Sequence, residues 1–182
     1  LNGQKIKLHG VNRHETDPGF GHYAPRSVME KDLRLIKQAN CNTVRNSHYP
    51  QDDYWYALCD LNGLYLVDEA NMEYQGMGYS TNSLTHRPEW REATIQRSLN
   101  MIGRNRNHPS VIIWSYGNES GPGENFKAVG EAVRKADPTR PRHFEPDDDK
   151  ADMDSVMYPS VDYVRKVAND TKRTRPFFIC EY

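Results

Sequence analysis

The chain has 182 residues, 36% of them apolar and 27% charged, which suits one soluble-type domain with a real core. Its formal net charge of −1 gives no electrostatic reason to expect nucleic acid or a membrane surface as partner, and no run approaches the roughly 18 apolar residues of a membrane span. The cysteines, Cys41, Cys59 and Cys180, are odd in number and widely spaced, so they read as small buried apolar residues rather than a disulfide framework or zinc site.

Short apolar runs alternate with helical patterns along the chain. Lys5 to Val11 alternates as a strand, after an Asn2-Gly3 turn. Ser27 with Glu30 three residues on has the form of a capping box, opening a helix whose face is Val28, Leu33, Leu35, Ile36 and Ala39. Asn42 to Arg45 is a second strand, followed by a helix from about Asp52 to Leu61 that Asn62-Gly63 stops. Leu64 to Val67 is a third strand. The loop that follows is rich in Gly, Ser, Thr and Asn and runs to about Thr85; long loops inside compact domains tend to be functional. A helix from about Pro88 to Arg104 leads to a fourth strand, Val111 to Trp114, and Gly123 to Ala136 is helical. Arg142 to Glu145 and Ser155 to Tyr158 are a fifth and sixth strand, Val161 to Asn169 a short helix, and Phe177 to Cys180 a seventh strand. Asp147-Asp148-Asp149 reads as a solvated charge run.

Strands alternating with helices predict a parallel α/β sheet, and their continuous apolar character suits burial on both faces. The fold expected is a (β/α)8 TIM barrel, incomplete: seven strands are present, the eighth is missing, and a closed barrel takes about 250 residues. Residues 1–182 are then most of a single catalytic barrel excised from a larger multidomain chain. An open doubly wound sheet is the runner-up, weakened because no Gly-rich nucleotide loop follows the first strand.

The strand ends are unusually polar. Glu119 closes the run from Ser110 through Trp114 and Asn118, and Glu181 closes the run from Pro176 through Cys180. In a parallel barrel, strand C-termini face the active site, and two converging carboxylates are what glycosidic bond cleavage needs. Gly10-Val11-Asn12-Arg13-His14-Glu15, Val44-Arg45-Asn46-Ser47-His48-Tyr49-Pro50, Asp68-Glu69-Ala70-Asn71, Arg106 to Ser115, Gly117-Asn118-Glu119-Ser120 and Cys180-Glu181-Tyr182 resemble glycoside hydrolase family 2. Within it they resemble most the bacterial β-galactosidases of the lactose-cleaving type. The resemblance covers nearly the whole chain in order. The ending Asn118-Glu119-Ser120 is more like the galactosidases, the family's glucuronidases tending to carry Asn-Glu-Pro. The same triplet fits a glycosylation sequon, but a glycan there would block the cleft.

The resemblance implies a retaining β-glycosidase, with Glu119 as general acid/base and Glu181 as nucleophile. Arg45 would sit beside the nucleophile, Asn118 would bond the sugar 2-hydroxyl, His14 and His48 would bind sugar, and Tyr158 would assist near the nucleophile. Asp68 and Glu69 are expected to brace the barrel mouth. The resemblance further implies Mg²⁺, with Glu73 and Glu119 matching two of its ligands; Gln75 stands where a His is expected, and an amide oxygen can still ligate a hard cation. The implied partners are a β-galactoside substrate and further domains of the parent chain, with a homo-oligomeric parent left open. A cytoplasmic and a periplasmic bacterial home both fit the unpaired thiols. A β-glucuronidase or β-mannosidase of the same family, and a non-catalytic barrel that only binds carbohydrate, remain alternatives.

Overall fold

A computed structural model describes residues 1–145 and 151–182; the Asp147-Asp148-Asp149 run falls outside the described residues. Seven strands occur among them: β1 (Gly10–Arg13), β2 (Thr43–Asn46), β3 (Tyr65–Glu69), β4 (Val111–Ser115), β5 (Arg142–His143), β6 (Asp154–Met157) and β7 (Phe177–Glu181). Five helices intervene: α1 (Arg26–Gln38), α2 (Asp53–Asn62), α3 (Arg91–Asn105), α4 (Glu124–Ala136) and α5 (Val161–Ala168). Every strand pairing is parallel. β1 to β5 form one sheet in strict chain order, and β6 pairs with β7. Sequential order is the barrel pattern; a doubly wound sheet reverses order at its switch point. The fold is therefore α/β, an incomplete TIM barrel.

Two apolar layers hold it. Val44, Leu66, Val111 and Trp114 point outward and pack with Trp55, Met101, Ile102, Val129 and Val133 of the helices. Val67, Ile112, Ile113 and Met153 line the barrel interior, with Leu8, Tyr65 and Phe178 against them. In β3 the parity is clean: Leu66 and Asp68 face the helices, Val67 and Glu69 face inward. In β4 it is broken, because Leu66 pairs with Val111 while Val67 pairs with Ile113. Ile112 is the extra residue of a bulge, and it shifts everything after it by one face.

Several local expectations are corrected. Ser27 does not cap α1. That helix begins at Arg26 behind Pro25 with no side-chain cap, and the Glu30 carboxylate accepts from the Tyr54 hydroxyl at 2.7 Å instead. Proline at this position fixes an extended approach, so the helix starts two residues earlier than a Ser27 cap would place it. The first strand spans Gly10–Arg13 rather than Lys5–Val11, since its extent is set by where β2 runs beside it, Gly10 opposite Thr43. A 3₁₀ turn, Pro88–Trp90, takes the first residues expected of the next helix. All three cysteines are free thiols. Burial pushes the Cys180 thiol up to about 11, which leaves it an inert apolar group.

Among the described residues the β5–β6 seam has no strand ladder. Arg142 and Asp152 close it: the Asp152 amide donates to the Arg142 carbonyl at 2.9 Å, and the Arg142 amide and guanidinium donate to the Asp152 carboxylate at 2.8–2.9 Å. Between β7 and β1 the contacts are single bonds, Asn12 Nδ2 to the Cys180 carbonyl and Tyr182 OH to the Gly10 carbonyl, each 3.0 Å.

Candidate active site

The site is built at the C-terminal ends of β2, β3, β4, β6 and β7. Arg45 of β2 is its centre and is 2% exposed. Its Nε and Nη2 donate to Glu69 Oε2 and Oε1 at 2.8 and 3.0 Å, a bidentate pair. The same Nη2 reaches Asn118 Oδ1 at 2.8 Å, and Nη1 reaches Glu181 Oε1 at 2.9 Å. One guanidinium thus ties the β7 carboxylate to the residue preceding Glu119. Burial alone would lower the pKa of Arg45, but the Glu69 charge together with the hydrogen bonds to Glu181 and Glu69 outweighs it, and the net shift is upward, which keeps the cation.

Glu69 is fully buried and has every acceptor position used. Besides Arg45, Oε1 accepts from His48 Nδ1 at 2.8 Å and Oε2 from the Ser115 hydroxyl at 2.6 Å. Burial pushes its pKa up, the Arg45 charge and the His48 hydrogen bond push it down, and the net result is about 2. Because Nδ1 of His48 donates to a carboxylate, its other nitrogen is turned toward Glu181, 3.8 Å from Oε1. The His14 ring meets the His48 ring edge-on, 5.1 Å between centroids.

Glu181 also accepts from the Tyr158 hydroxyl at 2.6 Å through Oε2. Burial would raise its pKa, but the hydrogen bonds from Tyr158 and Arg45 and the Arg45 charge hold it below the ordinary carboxylate value. Glu119 is shifted the other way. Burial, then the Glu73 charge, then the Glu181 charge all raise it. The two carboxylates therefore sense each other and sit in opposite environments, one favouring the charged form and one the protonated form.

Backbone geometry explains how the sequence delivers Glu119. Gly117 has φ +154, and a Cβ there would lie 2.5 Å from the Met72 carbonyl oxygen. Only glycine lets the end of β4 press against the segment after β3. The Asn118 amide then donates to the Met72 carbonyl at 2.8 Å, and Asn118 bridges Glu73. Glu119 itself takes φ +36, and Tyr158 takes φ +49. Asn2 and Asn40 are the other described non-glycine residues there, and Asn tolerates that region. Glu and Tyr do not, so local strain coincides with two predicted site residues. The long loop is pinned by Asn125 Nδ2, which donates to the carbonyls of Leu84 and Arg87 at 2.9 and 2.8 Å.

Glu119, Glu181, Arg45, Asn118, His14, His48 and Tyr158 are thus brought to one place. Asn118 is 1% exposed, so it offers no room for a glycan. Asp68 departs from expectation: it faces the helices, fully buried, and accepts from Tyr56, Asn46 and Asn105 at 2.6–2.9 Å. Glu69 alone braces the interior. Unanticipated members are Ser115, His143 and Ser155, together with half-buried Glu145, whose pKa is raised by burial and then by the Glu119 charge.

For a metal, Glu73 and Glu119 supply two carboxylates whose mutual repulsion a cation would relieve. Mg²⁺ accepts two protein carboxylates and completes its shell with water, so this pair fits it. Gln75 presents Nε2, not oxygen, to Glu119 Oε1 at 3.1 Å, and would have to turn its amide over to ligate. Among the described residues there is no group of three His, Cys, Asp or Glu that could hold a metal ion. A cavity of about 1200 Å³ includes Arg45, Tyr158 and Glu181 in its wall but not Glu119, so it runs into the barrel interior rather than outlining a cleft around both glutamates.

Comparison with known proteins agrees with this architecture. Residues 1–182 match the domain described as glycosyl hydrolases family 2, TIM barrel domain. A β-galactosidase of Vibrio cholerae is 42% identical over 196 aligned positions, covering all of this chain and 19% of that protein. Among solved structures, the β-glucuronidase of Ruminococcus gnavus in complex with uronic deoxynojirimycin has a TM-score of 0.78 at 26% identity, over 98% of this chain and 35% of that one. The β-galacturonidase from Eisenbergiella tayi bound to galacturonate has a TM-score of 0.74 at 27% identity, again over 98% and 35%. The chain spans about a fifth to a third of these relatives. With its strand order, its converging carboxylates and a match from the first residue to the last, the chain belongs to glycoside hydrolase family 2, as a TIM-barrel domain of that family.

Proposed function

We propose that this domain is the catalytic barrel of a retaining β-galactosidase working within a longer chain. The observation that carries the reading is the opposite tuning of two glutamates, one bonded to the Arg45 guanidinium and the other following Asn118, which that guanidinium also bonds. Glu119, whose protonated form is favoured by burial and by the Glu73 and Glu181 charges, gives its proton to the glycosidic oxygen as the bond to the anomeric carbon breaks. Glu181, held ionised by Tyr158 and Arg45, attacks that carbon and forms a covalent glycosyl-enzyme. Glu119, now a carboxylate, takes a proton from water, whose oxygen attacks the anomeric carbon and releases Glu181. Asn118, oriented by Arg45 and hydrogen-bonded to Glu73 at 3.3 Å, faces the sugar beside Glu119; His14 and His48 line the same mouth.

Glu73 and Glu119 would hold Mg²⁺, with Gln75 contributing its amide oxygen or yielding to water. When bound, the ion supplies positive charge beside the acid/base carboxylate. Titration calorimetry with MgCl₂ is expected to show binding that Glu73→Gln abolishes; no heat in the unsubstituted protein refutes the site.

Similarity to the Vibrio cholerae protein supports galactose as the sugar, and the uronic sugars of the structural relatives make glucuronides and galacturonides the controls. Nitrophenyl glycosides of galactose, mannose, glucuronic and galacturonic acid, offered to the full-length protein, test this. Galactoside turnover is expected to dominate; preference for a uronide would replace the sugar assignment while keeping the mechanism. Glu119→Gln and Glu181→Gln are each expected to cut turnover by about 10³-fold or more. A 2-fluoro sugar that traps the intermediate should label Glu181; an inverted product or a label elsewhere refutes retention.

A further inference from the structure

His143 sits at the end of β5 with its side chain inside the barrel, completely buried, its ring edge-on to Phe178 at 5.0 Å. Its Nδ1 is 2.8 Å from Ser115 Oγ, and its Nε2 is 2.7 Å from Ser155 Oγ. Ser115 Oγ is also 2.6 Å from Glu69 Oε2. Counting protons orients the whole chain. A serine hydroxyl has one proton to give, and Glu69, ionised against Arg45, can only accept. The Ser115 proton therefore goes to Glu69, and His143 must supply an N–H to Ser115 Oγ. Burial, and after it the Arg45 charge, lower the pKa of His143 to about 3, so the ring is neutral. Its single proton is then on Nδ1, and Nε2 accepts from the Ser155 hydroxyl.

We propose that His143, as the neutral Nδ1–H tautomer, is a positioning residue for the nucleophile: it links Ser155 of β6 to Ser115 of β4, and through Ser115 fixes the Glu69 carboxylate that holds Arg45 against Glu181. The geometry gives the relay a purpose beyond satisfying a buried ring. It crosses the β5–β6 seam, where the backbone ladder is missing, and the far side of that seam carries Tyr158, the other group bonded to Glu181. Both hydrogen bonds to the nucleophile are thereby referred to one rigid frame. The consequence for catalysis rests on Glu181 being the nucleophile; the proton arrangement does not.

The test has two arms on the full-length protein. In histidine-selective ¹⁵N spectra, the signal lost in His143→Leu should be a neutral ring protonated at Nδ1 at pH 6; an Nε2–H tautomer or an imidazolium overturns the relay whether or not any sugar is cleaved. In kinetics, His143→Leu and Ser115→Ala are each expected to lower kcat, and the rate of fluoro-sugar trapping, about 10- to 100-fold, with KM within about 2-fold. The double variant should be no worse than either alone. His143→Asn, whose amide restores a donor near Nδ1, should recover most of the loss. Near-normal kcat in Ser115→Ala, multiplying losses in the double variant, or no recovery in His143→Asn overturns the proposal. If His143→Leu does not fold, Ser115→Ala and the spectrum of the unsubstituted protein decide. Absence of glycosidase activity altogether refutes the functional reading instead, with the spectroscopic arm still standing.

Discussion

Replacing Glu69 by Gln keeps the shape of the side chain and removes its charge. In the native structure that charge is fully buried and faces the Arg45 guanidinium through two bonds. A carboxyl held at about 2 instead of its ordinary 4.5 corresponds to about 3 kcal/mol of stability at neutral pH, at roughly 1.4 kcal/mol per pH unit of displacement. Breaking one side of a buried pair costs about 3–5 kcal/mol in general, because the remaining charge is left uncompensated, so the two routes agree. Since the folded pKa is depressed, the stabilisation is complete above about pH 4.5 and drains away as the pH falls through about 2; near pH 3 roughly half remains. Urea unfolding of the two proteins at pH 7 and pH 3 checks this. Glu69→Gln is expected to lose about 3 kcal/mol at pH 7 and distinctly less at pH 3. Equal stability at pH 7, or a gap that does not narrow in acid, would refute the assignment of Glu69 as an ionised brace.

Without added Mg²⁺, the pH dependence of kcat/KM should be bell-shaped, with its acid limb below the ordinary glutamate value, from Glu181, and its alkaline limb above it, from Glu119. Tyr158→Phe removes the first of the interactions that hold Glu181 down, so the acid limb is expected to move to higher pH; an unmoved limb refutes that role. Gly117→Ala introduces a methyl 2.5 Å from the Met72 carbonyl at a φ that disfavours side chains. It should cost about 1–3 kcal/mol, read as a lowered Tm, together with a drop in turnover; an unchanged Tm means the two strand ends do not need this closeness.

The barrel was legible because its strands are short continuous apolar runs separated by helical periods, a signal that local sequence carries. The two glutamates were legible because each ends such a run. What escaped depends on pairing across the sheet. The first strand's limits follow from β2, not from the Lys5–Val11 alternation. Asp68 and Glu69 are adjacent and chemically alike, and only register tells which faces inward. Ser115 is the clearest case. Strict alternation from outward-facing Val111 would turn Ser115 toward the helices, and the bulge at Ile112 reverses it into the interior. A relay through Ser115, His143 and Ser155 is invisible until that reversal is known. The Ser27-Glu30 pattern failed for a simpler reason: Pro25 already sets the entry angle of the helix.

Glu119 follows β4 of the five-stranded sheet and Glu181 ends β7 of the two-stranded one, and what joins the sheets at β5–β6 is one backbone bond and a set of side-chain clasps. The relative placement of the two carboxyls thus rests on the Arg45 bridge from Glu181 to Asn118 and, at the join of the sheets, on the grip of Arg142 on Asp152 and on the Gly130 carbonyl of α4. Carboxyl spacing is what separates double displacement from single displacement at a glycosidic centre. A substitution at Arg142 or Asp152 therefore loosens the join between the two sheets that carry the pair, from the outer, helical side and without altering a group bonded to either glutamate.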